Sequence, residues 1–290
     1  MLLQPVVVLF FAQSRASWST GKLVTDLGMT VMDSFQEGTG DYLVLVHGAL
    51  TDGAMWLPHI EYLKADYEVI SVTLRHFGEP CSGGFGLNTH ANDLAELLSN
   101  LPKDKPINIV GWSYGADVII NMLVTHDIAL SNVFLYEPGY PGCLPGEQME
   151  AWQSDANAMF SPVFENFHAG NMHLAVERLI DGSGNREGYF STQDESIQAL
   201  QISKANTLTH QLNQQEQPAI NAELVSKISA PIVIGYGAET RDMFRLIAQQ
   251  TAHLLANSVI DEVAGEGHML PQESPEKFST HIKLALGHGL

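Results

Sequence analysis

Apolar residues fall along this chain in two alternating rhythms. The segment "DYLVLVHGA" at 41–49 is a nearly unbroken apolar run entered from a Gly-rich turn, the pattern of a strand covered on both faces within a parallel sheet. "EVISVTL" at 68–74 is a second run of that kind. "NTHANDLAELLSNL" at 88–101 then places Leu94, Leu97, Leu98 and Leu101 at helical spacing, and Pro102 closes the helix. "INIV" at 107–110 predicts another short strand, and Val118, Ile119, Met122 and Leu123 predict a helix behind it. Strand and helix alternate. The alternation implies βαβ units and an α/β fold, a mostly parallel central sheet with helices on both faces.

The same rhythm returns with "NVFLYEP" at 132–138, lapses, and resumes with "APIVIGYG" at 230–237. A helix over 241–257, a strand over 258–263 and a loop over 264–271 complete it. The intervening residues 139–229 are rich in Gln, Asn, Met, Phe and His and carry helical patterning, so they are expected to form a helical cap inserted into a core of 23–138 and 230–290. Residues 1–22 stand outside this scheme as an N-terminal extension, an appendage or an extra strand. Their apolar run is about as long as a signal-peptide core, but no positive charge precedes it, and it is too short to span a membrane. A cytoplasmic protein is expected, with export as the alternative.

A chain of 290 residues, 45% hydrophobic, can bury a large core, and one domain with an insertion suits that length. Its 33 acidic against 14 basic residues give a formal charge of −19, which repels phosphate backbones and anionic lipid headgroups. Nucleic acid and membrane are therefore not expected partners. The acidity otherwise reads as a solubility feature. Two cysteines, Cys81 and Cys143, leave room for one bridge and form no C-x-x-C pair. No histidines show zinc-ligand spacing with a third ligand nearby, and "GSG" at 182–184 has no strand before it, so neither metal nor cofactor is expected. The oligomeric state is not legible at this level.

"GWSYG" at 111–115 places a serine between two glycines where a strand gives way to a helix. On such a turn the Ser113 side chain stands above the C-terminal edge of the sheet, while Gly111 and Gly115 leave room for a tight backbone and a close helix–strand crossing. The helix behind it also directs free N–H groups toward an oxyanion formed there. A turn serine without chemistry is the plainer reading, and the strand-to-helix context argues against it. A serine hydroxyl needs a general base within hydrogen-bond reach to become a nucleophile.

Together with "VLVHGA" and "GEGHMLPQESPEKF", this motif resembles the α/β-hydrolase superfamily, over nearly the whole chain beyond its first twenty or so residues. "LRHFGEP", "HANDLAELL" and "LYEPG" are similar to serine esterase-like and C–C-hydrolase-like bacterial members. The resemblance implies Ser113 as nucleophile, His268 as base, and the backbone N–H groups of Ala49 and Tyr114 as the oxyanion hole, with His47 bracing the oxyanion loop. His90, His173, His210, His253 and His281 read as surface or helix residues by default. The triad acid departs from the commonest pattern. Three residues after Gly237, where most members carry an aspartate, stands Thr240. Glu137, directly after the preceding strand, occupies the position at which haloalkane dehalogenases and some related hydrolases carry their acid, while Glu239 and Asp242 are alternatives.

A serine nucleophile without a cofactor implies hydrolysis of an ester, thioester or lactone through an acyl-enzyme, with cleavage of an activated C–C bond as the alternative. A catalytically silent member binding a small ligand is the rival of another class. The substrate is expected to be small, apolar and acyl. Trp152, Met159, Phe160, Phe164, Phe167 and Met172 either line its pocket or pack the cap itself.

Overall fold

In the computed structural model, which describes residues 19–24, 30–79 and 81–287, an eight-stranded sheet organises the chain. Its strands are β1 (Ser19–Val24), β2 (Thr30–Gly38), β3 (Asp41–Val46), β4 (Tyr67–Thr73), β5 (Ile107–Trp112), β6 (Asn132–Tyr136), β7 (Ile232–Gly237) and β8 (Ser258–Val263), in the spatial order β1-β2-β4-β3-β5-β6-β7-β8. Strands β3 to β8 pair in parallel, whereas β2 runs antiparallel to β4 and β1 antiparallel to β2. The apolar extension predicted for residues 1–22 lies mostly outside the described residues, and Ser19–Val24 form an edge strand.

Strand β3 shows why its sequence lacks polar alternation. Val44 and Val46 enter one core with Leu94, Leu97 and Leu98 of α2 (Leu87–Asn100) and Val118 and Ile119 of α3 (Tyr114–Thr125). Leu43 and Leu45 enter the other, with Ile60 and Leu63 of α1 (Leu57–Leu63) and Phe278 and Ile282 of the C-terminal helix Pro275–Ala285. A strand covered on both faces needs apolar side chains on both.

Between β6 and β7 the described residues form no strand, and their α-helices are α4 (Gly146–His168), α5 (Met172–Ser183), α6 (Glu195–Ser203), α7 (Thr207–Asn213) and the short α8 (Ala222–Val225). After β7 come α9 (Asp242–Leu254), β8, the single turn α10 (Leu270–Glu273) and α11, the Pro275–Ala285 helix. Charged groups tie the cap to the core at several places. Arg241 pairs with Asp155 of α4, and Lys204, at the end of α6, pairs with Asp52 beside the β3 loop. Glu216, on the strap leaving the cap, accepts the N–H groups of Asn88 and Thr89 at 2.7 and 3.1 Å in the first turn of α2. Two N–H groups of that helix's first turn thus gain an acceptor that a free N-terminus lacks.

Cys81 is exposed and Cys143 buried, and both are free, so the bridge left open by the sequence is not formed. Among the described residues no helix is long and apolar enough to cross a membrane.

Candidate active site

The C-terminal ends of β5, β6 and β8 deliver three side chains to one point. Ser113 leaves β5 with φ 53° and ψ −121°, a left-handed conformation that costs a side-chain-bearing residue of order 1–3 kcal/mol. The neighbouring strand holds it there: the Ser113 N–H donates to the Tyr136 carbonyl of β6 at 2.9 Å. The flanking glycines have steric reasons. A Cβ on Gly115 would stand 2.5 Å from the carbonyl oxygens of both Val46 and His47, and one on Gly111 would stand 2.9 Å from the backbone nitrogen of Ala116. The helix crosses the strand too closely for either.

His268 Nε2 lies 3.0 Å from Ser113 Oγ, and His268 Nδ1 lies 2.6 Å from Glu137 Oε2. Because a carboxylate only accepts, Nδ1 carries the proton and Nε2 is left to accept from the serine hydroxyl. Both His268 and Glu137 are buried. The imidazole is clamped between neighbours: Phe244 stacks on it at 4.0 Å between centroids and 14° between planes. Trp112 Nε1 donates to the His268 carbonyl at 2.9 Å, and the Tyr136 hydroxyl donates to the Gly267 carbonyl at 2.9 Å.

Glu137 also has a left-handed backbone, with φ 50°. Its Oε1 accepts the Gly237 N–H at 2.8 Å and its Oε2 accepts the Thr240 hydroxyl at 2.7 Å. The position at which the sequence resemblance places an aspartate thus holds Thr240, whose hydroxyl donates to Glu137. Neither alternative acid reaches His268. Glu239 is exposed with its backbone N–H on the Glu266 carbonyl, and Asp242 is exposed and paired with Arg245.

Ala49 and Tyr114 border the same cavity as Ser113, and Tyr114 opens α3, so its N–H belongs to the first turn, where no carbonyl of the helix itself can accept it. Two buried histidines hold these loops. His47 donates from Nδ1 to the Gly48 carbonyl at 2.8 Å and accepts the Leu74 N–H on Nε2 at 3.0 Å, and burial pulls its pKa down to about 4. His90, read from the sequence as an ordinary helix or surface histidine, is buried. It donates from Nε2 to the Arg75 carbonyl at 3.1 Å and accepts the Tyr114 hydroxyl on Nδ1 at 2.8 Å. Burial lowers its pKa to about 3, in keeping with a neutral ring that accepts on one side.

The cavity in front of Ser113 holds about 340 Å³ and is walled mainly by apolar side chains, among them Phe85, Leu87, Met159, Phe160, Leu208 and Phe244. Of the cap residues singled out in the sequence, Trp152, Met159 and Phe160 line it. Phe167 and Met172 pack within the cap, and Phe164 is partly exposed, stacked on His168. No cluster of three or more metal-ligating side chains occurs among the described residues.

Residues 43–280 match the model of the Alpha/beta hydrolase family. The chain belongs to that family. It is 26% identical over 266 residues to the Uncharacterized hydrolase YugF of Bacillus subtilis (strain 168), covering 86% of this chain and 91% of that protein. Over 144 residues it is 33% identical to a pimeloyl-[acyl-carrier protein] methyl ester esterase of Vibrio parahaemolyticus, covering 46% of this chain and 53% of the other. Among solved structures, the carboxylesterase CesB (YbfK) from Bacillus subtilis superposes with a TM-score of 0.70 at 16% identity, over 95% of this chain and 94% of that one. At such identity the likeness speaks for the fold alone. The protein is a hydrolase of the α/β-hydrolase family, built on its mostly parallel sheet with an inserted helical cap.

Proposed function

We propose that this hydrolase cleaves small carboxylic esters, thioesters or lactones through an acyl-enzyme on Ser113. The observation that carries the reading is the pair of hydrogen bonds, 3.0 Å from Ser113 Oγ to His268 Nε2 and 2.6 Å from His268 Nδ1 to Glu137 Oε2, opening onto a largely apolar cavity. The partial ester-hydrolase likeness of the Vibrio esterase supports the same reaction class.

In this mechanism Ser113 Oγ bonds to the carbonyl carbon as its proton passes to His268 Nε2. The carbonyl oxygen takes the negative charge and accepts the Ala49 and Tyr114 N–H groups. Collapse breaks the bond to the leaving alkoxide or thiolate, which takes the proton from Nε2. Water then gives a proton to Nε2 and attacks the acyl carbon, and the acid departs as Ser113 is reprotonated. Glu137 keeps accepting from His268 Nδ1 throughout. It holds the productive tautomer and stabilises the imidazolium formed in both halves of the cycle.

A fluorophosphonate probe is expected to label Ser113, and Ser113→Ala is expected to lower p-nitrophenyl butyrate turnover at least about a thousandfold. Turnover within about tenfold of the parent would put the nucleophile elsewhere. Absence of labelling in the parent protein would return the chain to small-ligand binding.

A further inference from the structure

The cavity wall carries a titratable side chain that the reaction above does not use. Asp117 sits one turn into α3 from Ser113, is 6% exposed, and is the sole carboxylate on the wall, where no Lys or Arg stands among the described residues. Its Oδ1 accepts the N–H groups of Gly139 and Tyr140, both at 3.0 Å, and its Oδ2 only shares the Gly139 N–H at 3.1 Å. A carboxylate offers about four acceptor positions, so two backbone donors leave it half satisfied. Burial outweighs those two hydrogen bonds and pushes its pKa up to about 7. A second polar atom on this wall is short of a partner: Trp152 Nε1 is buried and unpaired.

We propose that Asp117 is a specificity residue that selects substrates carrying a hydrogen-bond-donating group, ammonium ahead of hydroxyl, about one helical turn from the scissile carbonyl, and that it disfavours a carboxylate there. This rests on the reading of Ser113 as the reacting group. One turn of helix is about 5.4 Å, which a three-carbon acyl spacer covers. An ammonium would complete the Asp117 acceptor set with a charge-assisted bond in a poorly hydrated site, and the formal charge of −19 raises the local concentration of cations over anions. A substrate carboxylate would meet Asp117 with no cationic side chain to offset it.

Anchoring the first residues of the cap through Gly139 and Tyr140 is the purely structural role, and Asp117→Asn separates the two, because the amide oxygen still accepts both backbone N–H groups. In a Ser113→Ala background, calorimetric titration compares ethyl 4-aminobutyrate, ethyl valerate and monoethyl glutarate. The amine is expected to bind at least about tenfold tighter than valerate and glutarate the weakest, and adding Asp117→Asn is expected to bring the amine-to-valerate ratio within about threefold. A ratio near one before that substitution, a ratio that survives it, or tightest binding of glutarate overturns the proposal, as does failure of all three to bind. Because Ser113 is absent from this measurement, an amine preference without turnover of the same esters in the parent protein would sink the hydrolytic reading and leave Asp117 standing. Turnover without preference would do the reverse.

Discussion

Glu137 fills three of its roughly four acceptor positions in one arrangement, with the Gly237 N–H on Oε1 and Thr240 and His268 on Oε2. Glu137→Gln keeps that shape but offers an N–H₂ group in place of one acceptor, and it removes the charge that stabilises an imidazolium on His268. Loss of the corresponding acid in serine proteases costs about four orders of magnitude, so at least about a hundredfold loss in kcat with little change in KM is expected here, while Glu239→Gln should change kcat less than about threefold. Steady-state kinetics on p-nitrophenyl butyrate read both, and a crippling Glu239→Gln would place the acid after β7 despite its exposed side chain. Ser113 and His268 could be picked out as candidates in the sequence because each sits in a short local motif. The sequence favours Glu137 as the acid but leaves Glu239 and Asp242 as alternatives, because the side chain it meets is 131 residues away. Thr240, Phe244 and His90 were missed as site residues for the same reason. Their roles lie in a hydroxyl aimed at Glu137, a ring laid on His268 and a ring nitrogen holding the Tyr114 hydroxyl, and no local pattern announces these.

At the scale of elements, the site depends on how closely α3 crosses β3 and on what the cap encloses. Gly115→Ala would drive a methyl group into the Val46 and His47 carbonyls, backbone atoms that cannot swing aside. A stability loss of about 2 kcal/mol or more is expected, read as a lower urea midpoint, together with loss of fluorophosphonate labelling. An unchanged midpoint would mean the crossing is looser than described. Strands β3 to β7 were readable because burial on both faces leaves continuous apolar runs. Strand β2 was not: its inward positions include the buried Ser34 beside Met32, so the alternation that marks a half-buried strand is broken. Helix α1 has only seven residues, too few for a helical period to stand out. The helical character of the segment after β6 was legible, but which of its aromatic residues face the cavity depends on how α4 is rotated against the core. With Trp152, Met159 and Phe160 closing a space of about 340 Å³, short and medium acyl chains should be turned over in preference to long ones. p-Nitrophenyl butyrate should exceed the palmitate ester in kcat/KM by at least about tenfold, and a preference for palmitate would mean that the cap does not bound the acyl site.

Across the whole molecule, the buried histidines outside the reacting pair connect function to stability. His47 and His90 hold the loop after β3 and Tyr114, and His59 lies in the second core with its ring edge-on to Trp56 and Phe278. Burial lowers the pKa of His47 to about 4 and those of His59 and His90 to about 3. The sign follows from proton counts: below about pH 6.5 the unfolded chain protonates these rings while the folded chain does not, so stability falls as pH drops from there toward the folded values. Above about pH 6.5 both states are neutral and the three rings contribute no slope. Each pH unit within the window costs about 1.4 kcal/mol per histidine. His59 separates this effect from the site, because it touches neither Ser113 nor the oxyanion loop. His59→Phe places an uncharged ring in the same aromatic contacts. Urea unfolding of the variant and the parent should therefore differ by an amount that moves in the variant's favour by about 2 kcal/mol between pH 7 and pH 5. A difference that stays constant over that range would mean that His59 is protonated in the folded protein, and that acid lability has its origin in other groups.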